Sequence, residues 1–374
     1  MTRTAIFHDN LVQMGGAERV LDALMQALPD ASLHTTLTVP EKLSPALRAS
    51  RVHTTWMQHL PARHRLYRHY FLLYPLAIET TNMRTYDLIV SSCWGYSKGV
   101  RKRRDAIHVC YCHTPMRWVW RYHDYVADER LPSVVRRVLP RLIAPLRTWD
   151  LQASRRPDFF IANSEVVRAR IRRFYDRDAV VIPPPVDVRR FHASPTQDDY
   201  YLVVSRLVAY KRIQLAIRAC NLLKRRLVII GDGPDRQRLQ ALAGPTVELR
   251  GRRPDAEVSA AAAECRAVIF AGEEDFGLVP LEANASGRPV VAWRGGGALE
   301  TVRDGETGLF FDEPTPESLA AALLAVESRT WDQTLLRAHA AQFDVPVFIQ
   351  RIQDFLRTVV RVEQFEPRLE ASHA

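Results

Sequence analysis

Two acidic side chains, Glu274 and Glu282, lie on either side of a glycine turn at Gly277. The turn follows a short apolar run, Val268–Phe270, typical of a buried parallel strand, and it opens an apolar helix that ends at Gly287. Free backbone N–H groups at the start of a helix attract a phosphate, and a glycine lets that phosphate approach the backbone. Because two acids would repel a bare phosphate, we interpret them as acceptors of hydrogen bonds from hydroxyl groups, as on a ribose and a sugar.

Two cations and a diglycine occupy similar positions elsewhere in the chain. Arg206 and Lys211 follow the predicted strand Tyr201–Val204, and at this spacing both can contact oxygens of one pyrophosphate. Gly15 and Gly16 lie between a predicted first strand and an amphipathic helix. That turn is compatible with a phosphate, but it is not the Gly-x-Gly-x-x-Gly dinucleotide fingerprint. Exposed cations and a tight turn without a ligand are the alternatives.

A histidine follows the predicted strand His108–Cys112. His113 stands at the carboxyl end of that strand, two residues before Pro115, and is therefore placed to face a cleft. A structural histidine is the alternative. The polar and aromatic continuation, Trp120 to Tyr125, suits either stacking on a sugar ring or anchoring an ordinary loop.

These segments together resemble the retaining GT-B glycosyltransferases of glycosyltransferase family 4. Glu274 and Glu282, with seven residues between them, are similar to the family's Glu-x7-Glu signature. Two departures stand out: Pro184 and Pro185 replace the usual Asn-Gly, and Ser205 replaces a Gly before Arg206. The segments that carry the resemblance are Gly15 to Arg19, Tyr111 to Trp118, Pro183 to Asp187, Arg206 to Lys211, Gly231 to Pro234, Phe276 to Val290 and Thr307 to Phe311.

The resemblance implies a role for each candidate residue. The departing pyrophosphate would be stabilised by Arg206, Lys211 and the helix start at Gly277 and Leu278, without a metal or another cofactor. Glu282 would hold the ribose hydroxyls and Glu274 a sugar hydroxyl, and His113 would contact the donor sugar. The implied catalytic set is His113, Glu274, Arg206 and Lys211, and the implied donor-binding set is Gly15, Gly16, Arg206, Lys211, Phe276, Gly277, Leu278 and Glu282.

The implied reaction moves a hexose from a nucleoside diphosphate sugar to a hydroxyl acceptor with retention. The most similar members are bacterial mannosyltransferases of O-antigen and exopolysaccharide assembly, which implies GDP-mannose as donor and a lipid-linked saccharide as acceptor. A UDP-sugar such as UDP-glucose is the alternative donor, and a sugar-nucleotide epimerase is the alternative enzyme. The residues do not decide between double displacement and front-face attack. The Asp-x-Asp pair at Asp176 and Asp178 lies in a predicted turn and is assigned no metal.

Strand and helix patterns alternate through both halves of the chain, which predicts two doubly wound parallel sheets of the Rossmann-like type. Ligands of such folds bind at the carboxyl ends of the strands, so the candidate loops are expected to converge on one interdomain cleft, as in the GT-B fold. The predicted division is an acceptor-binding domain over 1–195, a nucleotide-sugar-binding domain over 196–345, and a C-terminal helix with a tail over 346–374 that crosses back to the first domain.

Charge is unevenly distributed. Residues 1–195 hold 30 Lys or Arg and 17 Asp or Glu, a net +13, and residues 196–374 hold 22 and 25, a net −3. A basic half suggests an anionic partner. The chain has no stacking-aromatic signature of an RNA module, so we expect an anionic membrane surface rather than nucleic acid. Without a signal peptide, a membrane-spanning run or a Cys-x-x-Cys pair, the sequence indicates a cytoplasmic protein, peripheral on the inner face of the cell membrane.

Three further segments give expectations about local structure. Residues 61–80 interleave basic and aromatic side chains over a predicted helix, which suits a membrane interface or a helix packed on the core. The charge run from Ser97 to Asp105, which includes Lys98, is typical of a solvated turn. Pro140 and Pro145 should break or kink the helical pattern around them.

Overall fold

A computed structural model describes residues 2–122 and 133–370, with side chains described for 2–122 and 138–360. His123, Asp124 and Tyr125 lie outside the described residues. The chain divides into two compact units. The first takes in Met1–Pro183 and Phe348–Ala374, and the second takes in Pro184–Val347.

The first unit is built on a parallel sheet of seven strands among the described residues, in the order β3-β2-β1-β4-β5-β6-β7. The central strands are largely buried, as expected of a sheet covered on both faces, whereas the edge strands β3 and β7 are partly exposed. They are β1 (Thr4–His8), β2 (Ser32–Thr35), β3 (Val52–Thr54), β4 (Leu88–Cys93), β5 (Ile107–Cys112), β6 (Phe159–Ala162) and β7 (Val180–Val181).

Helices connect these strands. The described α-helices of this unit are Gly16–Ala27, Pro45–Ala49, Arg63–Leu66, Tyr74–Glu79, Arg117–Trp120, Ser133–Ala153 and Glu165–Tyr175. The long helix Val345–Glu370 contributes its residues from Phe348 onward. Within the unit, the Phe348 ring meets the edge of Tyr111 at 5.8 Å, and Gln353 Nε2 donates a 3.0 Å hydrogen bond to the Ala27 carbonyl oxygen.

The second unit contains a six-stranded parallel sheet, counted over the described residues, in the order β10-β9-β8-β11-β12-β13. Successive residues of its strands enter two different core clusters, so both faces of the sheet are buried. The strands are β8 (Tyr200–Val204), β9 (Arg226–Ile230), β10 (Val247–Gly251), β11 (Ala267–Phe270), β12 (Val290–Trp293) and β13 (Gly308–Phe311). The α-helices are Ile213–Leu223, Arg236–Leu242, Asp255–Glu264, Leu278–Ala285, Ala298–Thr301, Pro316–Glu327 and Gln333–Ala341.

The prediction of two doubly wound parallel sheets is confirmed. In each sheet the strand order reverses where a unit's first strand has neighbours on both sides: β1 lies between β2 and β4, and β8 between β9 and β11. Loops that leave the carboxyl ends of strands at such a reversal diverge to opposite faces and open a crevice, which is where ligands of this fold class bind.

Two local expectations are wrong, and a third is wrong in part. Residues 61–80 form two short helices, Arg63–Leu66 and Tyr74–Glu79, instead of one. The expected break at the prolines does not occur, because the helix Ser133–Ala153 continues through both Pro140 and Pro145. Pro145 can be tolerated because Arg141, whose carbonyl loses its helical partner, is exposed and so open to water. Lys98 is not solvated: its side chain is buried and paired with Asp150.

Candidate active site

The candidate residues of the second unit lie after the carboxyl ends of β8 and β11, the strand pair at the reversal. The loop after β8 carries Arg206 and Lys211, and the loop after β11 carries Glu274. Lys211 Nζ and Glu274 Oε1 form an ion pair, with side chains 13% and 24% exposed. Two residues that the sequence places 63 positions apart are therefore in direct contact. Both remain partly accessible, as ligand-binding groups must be.

Close backbone contacts hold this pair in place. A Cβ atom on Gly272 would lie 2.8 Å from Lys211 Cα, so only glycine allows the two loops to approach this closely. On the other side, Gly297 N donates a 2.8 Å hydrogen bond to the Glu274 carbonyl oxygen. These backbone contacts hold both loops in place and so position the ion pair.

Gly277 starts the helix that follows this loop. It has φ +88°, and a Cβ atom there would lie 2.8 Å from Phe270 Cζ. The glycine is therefore required by the backbone whether or not a phosphate binds. The helix Leu278–Ala285 has eight residues, and none of its first-turn side chains is acidic. Its free N–H groups and dipole can accept an anion.

The other predicted residues of this unit differ in accessibility. Arg206 is exposed and Glu282 is half-buried. The Phe276 ring is buried and packs against Phe343 at 5.9 Å, within a cluster that includes Leu281. Only the backbone of Phe276 can therefore reach a ligand. We name Arg206, Lys211, Glu274, Gly277, Leu278 and Glu282 the second-unit site.

The first unit presents a different arrangement. Ser92 Oγ lies 2.9 Å from His113 Nε2 and 3.0 Å from His8 Nδ1. His8 ends β1, Ser92 lies in β4 directly opposite His8, and His113 follows β5. Three neighbouring strands thus contribute one residue each. We name His8, Ser92 and His113 the first-unit cluster.

The first-unit cluster is buried. His8 and Ser92 have no exposed surface, and His113 is 9% exposed. Burial lowers the pKa of His8 to about 3, so its imidazole is neutral at ordinary pH. The sequence indicated His113 alone. The signal for its partners was a His at the end of one strand pattern and Ser91-Ser92 in another, which is too common to single out.

The backbone N–H group of Gly15, in the diglycine turn of the first unit, already has a hydrogen-bond acceptor. Gly15 N donates a 2.8 Å hydrogen bond to Glu18 Oε2, and Glu18 in turn lies in the first turn of the helix Gly16–Ala27. Burial raises the pKa of Glu18 to about 7, against the lowering effect of its backbone hydrogen bonds. The predicted phosphate contact at Gly15 would therefore have to displace a carboxylate, whereas Gly16 is exposed.

Two further buried acids of this unit were missed from the sequence. Asp9 follows β1, and its carboxylate accepts hydrogen bonds from the backbone N–H groups of Trp94, Tyr96 and Ser97 at 2.6–2.8 Å. It ties the end of β1 to the loop after β4 and so holds the strand ends that carry the first-unit cluster.

The second acid, Asp150, pairs with Lys98 inside the unit. Asp150 also accepts hydrogen bonds from Trp120 Nε1 at 2.7 Å and Tyr175 Oη at 2.8 Å. Although burial alone would lower it, this carboxylate raises the pKa of Lys98 above its ordinary value. Because all three donors converge on one buried acid, the network anchors the helix Ser133–Ala153 to the sheet.

No group of three or more His, Cys, Asp or Glu side chains within 2–122 and 138–360 is placed to hold a metal ion. In the described part of the chain, no helix is both long and apolar enough to cross a bilayer.

Known proteins share this architecture over nearly the whole chain. Anabaena HepE, solved with UDP and glucose, superposes with a TM-score of 0.69 at 20% identity over 96% of this chain and 100% of that one. Sucrose-phosphate synthase of Thermosynechococcus elongatus gives a TM-score of 0.72 at 18% identity, with the same coverage. At these identities the likeness concerns the fold, and it confirms the GT-B class.

Family models match the chain in two adjoining segments. The model of Glycosyltransferase Family 4 matches residues 14–190, and the model of Glycosyl transferases group 1 matches residues 187–341. Between them the two models run from residue 14 to residue 341. The resemblance to glycosyltransferase family 4 that the motifs predicted is therefore confirmed.

Several curated glycosyltransferases are similar to this chain in sequence. A GDP-mannose-dependent alpha-(1-6)-phosphatidylinositol monomannoside mannosyltransferase of Mycolicibacterium smegmatis is 34% identical over 43% of this chain and 50% of its own length. A D-inositol 3-phosphate glycosyltransferase of Corynebacterium urealyticum is 25% identical over 78% and 76%, and one of Acidothermus cellulolyticus is 29% identical over 69% and 64%. The chain thus spans half the length of the first of these relatives.

Proposed function

We propose that this glycosyltransferase moves mannose from GDP-mannose to a hydroxyl group of a lipid-linked saccharide, with retention and without a metal. The observation that carries the proposal is the Lys211–Glu274 pair beside the start of the helix Leu278–Ala285. A cation and free N–H groups suit a pyrophosphate, and an adjacent acid suits a sugar hydroxyl. The name of the Mycolicibacterium relative supports mannose and GDP.

The roles follow from charge and accessibility. Arg206, Lys211 and the N–H groups at Gly277 and Leu278 stabilise the negative charge that develops on the leaving pyrophosphate. Glu282, half-buried on the helix, accepts hydrogen bonds from ribose hydroxyls.

Two side chains are assigned to the sugar. Glu274 and His113 bind the sugar, and neither adds positive charge beside a ring that becomes cationic as the leaving group departs.

Membrane docking explains the basic first half. Exposed leucines stand among exposed basic side chains on the segment 61–80: Leu66 is 39%, Leu72 46% and Leu76 56% exposed, and Arg65 and Arg68 lie beside them. Exposed apolar and basic side chains in the same segment suit an anionic bilayer. We expect the purified protein to bind anionic vesicles, with binding that weakens as salt rises. Equal recovery on neutral vesicles would remove this part of the proposal.

A second acceptor is supported by other relatives. Two of the matches that cover most of this chain are named D-inositol 3-phosphate glycosyltransferases, so a phosphorylated inositol is the alternative acceptor. UDP-glucose is the alternative donor, because HepE was solved with UDP and glucose. An assay without acceptor tests the epimerase alternative, since an epimerase would interconvert donor sugars.

A thermal-shift panel of GDP, UDP, ADP and their sugar conjugates tests the donor. A ligand at 100 times its dissociation constant stabilises the fold by about 2.7 kcal/mol, which is readily visible. We expect a shift with GDP and GDP-mannose and none with UDP. A shift with UDP alone would replace the donor while leaving the class of reaction in place.

A further inference from the structure

The three residues of the first-unit cluster form a continuous hydrogen-bonded chain. Ser92 Oγ stands between His8 Nδ1 at 3.0 Å and His113 Nε2 at 2.9 Å. A serine hydroxyl carries one hydrogen, so it donates to one ring and accepts from the other. The protonation of one histidine therefore constrains the protonation of the other.

The burial of His8 determines which group donates and which accepts in each of these two hydrogen bonds. His8 Nε2 is buried and has no hydrogen-bond partner among the residues that the structure describes. A buried N–H group without an acceptor costs more than an unused lone pair. The neutral His8 ring therefore carries its hydrogen on Nδ1 and donates it to Ser92, which leaves the Ser92 hydroxyl to donate to His113 Nε2.

We propose that Ser92 and His8 are positioning residues that hold His113 as the neutral tautomer with its hydrogen on Nδ1. This inference rests on the proposed role of His113 at the donor sugar. A proton added to His113 Nε2 would force Ser92 to accept from both rings and leave its own hydrogen unbonded. The chain thus disfavours a positive charge on His113.

Two more contacts fix the orientation of the same ring. The His113 backbone N–H donates to the Cys93 carbonyl oxygen at 2.8 Å, and the ring meets the edge of Tyr111 at 5.2 Å. Tyr111 is itself held by a hydrogen bond from its hydroxyl to the Ile182 carbonyl oxygen. Ser92 therefore acts on a ring whose position is otherwise set, and its specific contribution is the tautomer.

The same two strands supply a matched control. Ser91 Oγ lies 2.9 Å from His108 Nε2, and both residues are fully buried. This pair joins β4 to β5 as Ser92 joins β4 to the residue after β5. The pair takes no part in the first-unit cluster. Ser91→Ala therefore removes a comparable buried hydrogen bond without touching His113.

Nitrogen-15 NMR of histidine rings in the full chain tests the tautomer without any substrate. We expect His113 to carry its hydrogen on Nδ1 in the wild type and in Ser91→Ala, and to shift toward the Nε2–H tautomer in Ser92→Ala. Ser92→Thr, which keeps the hydroxyl, should restore the wild-type signal. A wild-type His113 protonated on Nε2, or one unchanged in Ser92→Ala, would overturn the inference.

Kinetics provide the second readout. The probe is release of GDP from GDP-mannose with water as acceptor, or of UDP from UDP-glucose if UDP is the nucleotide that stabilises the protein. Ser92→Ala should lower kcat about tenfold, the scale of one lost hydrogen bond, with little change in KM. Ser91→Ala should keep the wild-type kcat. Equal losses in the two variants would reduce Ser92 to a stabilising residue.

The two proposals fail in distinguishable ways. Full activity of His113→Ala would refute the proposed role of His113 at the sugar, and with it the functional part of this inference. A loss in His113→Ala together with an unchanged NMR signal in Ser92→Ala would leave the proposed function standing and refute the positioning chain alone.

Discussion

The two units differ in the kind of group that their candidate residues provide. In the first unit these groups are buried: His8 and Ser92 have no exposed surface, and His113 has little. In the second unit they are charged and partly accessible, as in the Lys211–Glu274 pair. We propose that the difference serves two tasks, because Lys211 would face the negative charge of a pyrophosphate and His113 would contact the sugar without adding positive charge.

Loss of His113 should have the largest effect. If His113 contacts the sugar as proposed, His113→Ala should abolish transfer from GDP-mannose and leave the affinity for GDP nearly intact. Product formation and calorimetric titration of GDP measure the two quantities. A variant that remains fully active would make His113 a structural residue and remove the contrast between the units.

Loss of the cation in the second unit comes next. Lys211→Ala should cost about 2–4 kcal/mol of transition-state stabilisation, the scale for one preorganised charge at a developing anion. Values of kcat/KM for GDP-mannose measure it. Arg218→Ala, which removes an exposed cation from the following helix, is the control and should keep the wild-type value. Equal values for both variants would show that Lys211 holds no phosphate.

The ion pair makes a finer prediction. In the free protein Glu274 competes with a pyrophosphate for Lys211, so Glu274→Gln should tighten GDP binding, on the order of tenfold for a partly exposed charge, while transfer is lost. Glu273→Gln removes the same charge one residue away and serves as the control. Weaker GDP binding in Glu274→Gln would mean that the acid supports the nucleotide instead of competing with it.

Lowering the pH should destabilise the first unit more than the second. Burial lowers the pKa of His8 and His108 to about 3 and that of His34 to about 4, and all three lie in the first unit. A lowered pKa in the folded state means that the stability is present above the unfolded value of 6.5 and is lost as the pH falls toward the folded value.

The expected loss is about 2 kcal/mol for each of these three histidines between pH 7 and pH 5. The raised pKa of Glu18 offsets part of this loss, and burial also lowers the pKa of His339 in the second unit, so the first unit should lose more stability than the second. Hydrogen exchange at pH 7 and pH 5, corrected for intrinsic rates, should therefore show β1, β4 and β5 losing protection before β8 and β11. Simultaneous loss in both units would contradict the contrast.

The sequence predicted the second unit better than the first. Glu274, Gly277 and Lys211 lie in loops that directly follow apolar runs of the sequence. The strands before these loops could therefore be predicted from the sequence. Their direct contact could not, because it depends on how closely Gly272 lets two loops approach.

The first-unit cluster was largely invisible for a physical reason. Ser92 and His8 lie inside strands, where a buried polar residue is recognisable only once the partner across the sheet is known. Lys98 was misassigned for the same reason, since its partner Asp150 is far along the chain. Local patterns also misjudged Pro145, whose cost depends on solvent access to the carbonyl that loses its partner.

We assign Lys211 to the pyrophosphate and His113 to the sugar. This assignment is tested most directly by calorimetric titration of GDP and GDP-mannose into three proteins: wild type, Lys211→Ala and His113→Ala. The difference in affinity between the two ligands measures what the sugar contributes. We expect Lys211→Ala to weaken both ligands by the same factor, and His113→Ala to remove the sugar's contribution while GDP binds as in the wild type. Wild-type GDP binding by Lys211→Ala, or an equal loss for both ligands in His113→Ala, would contradict the account.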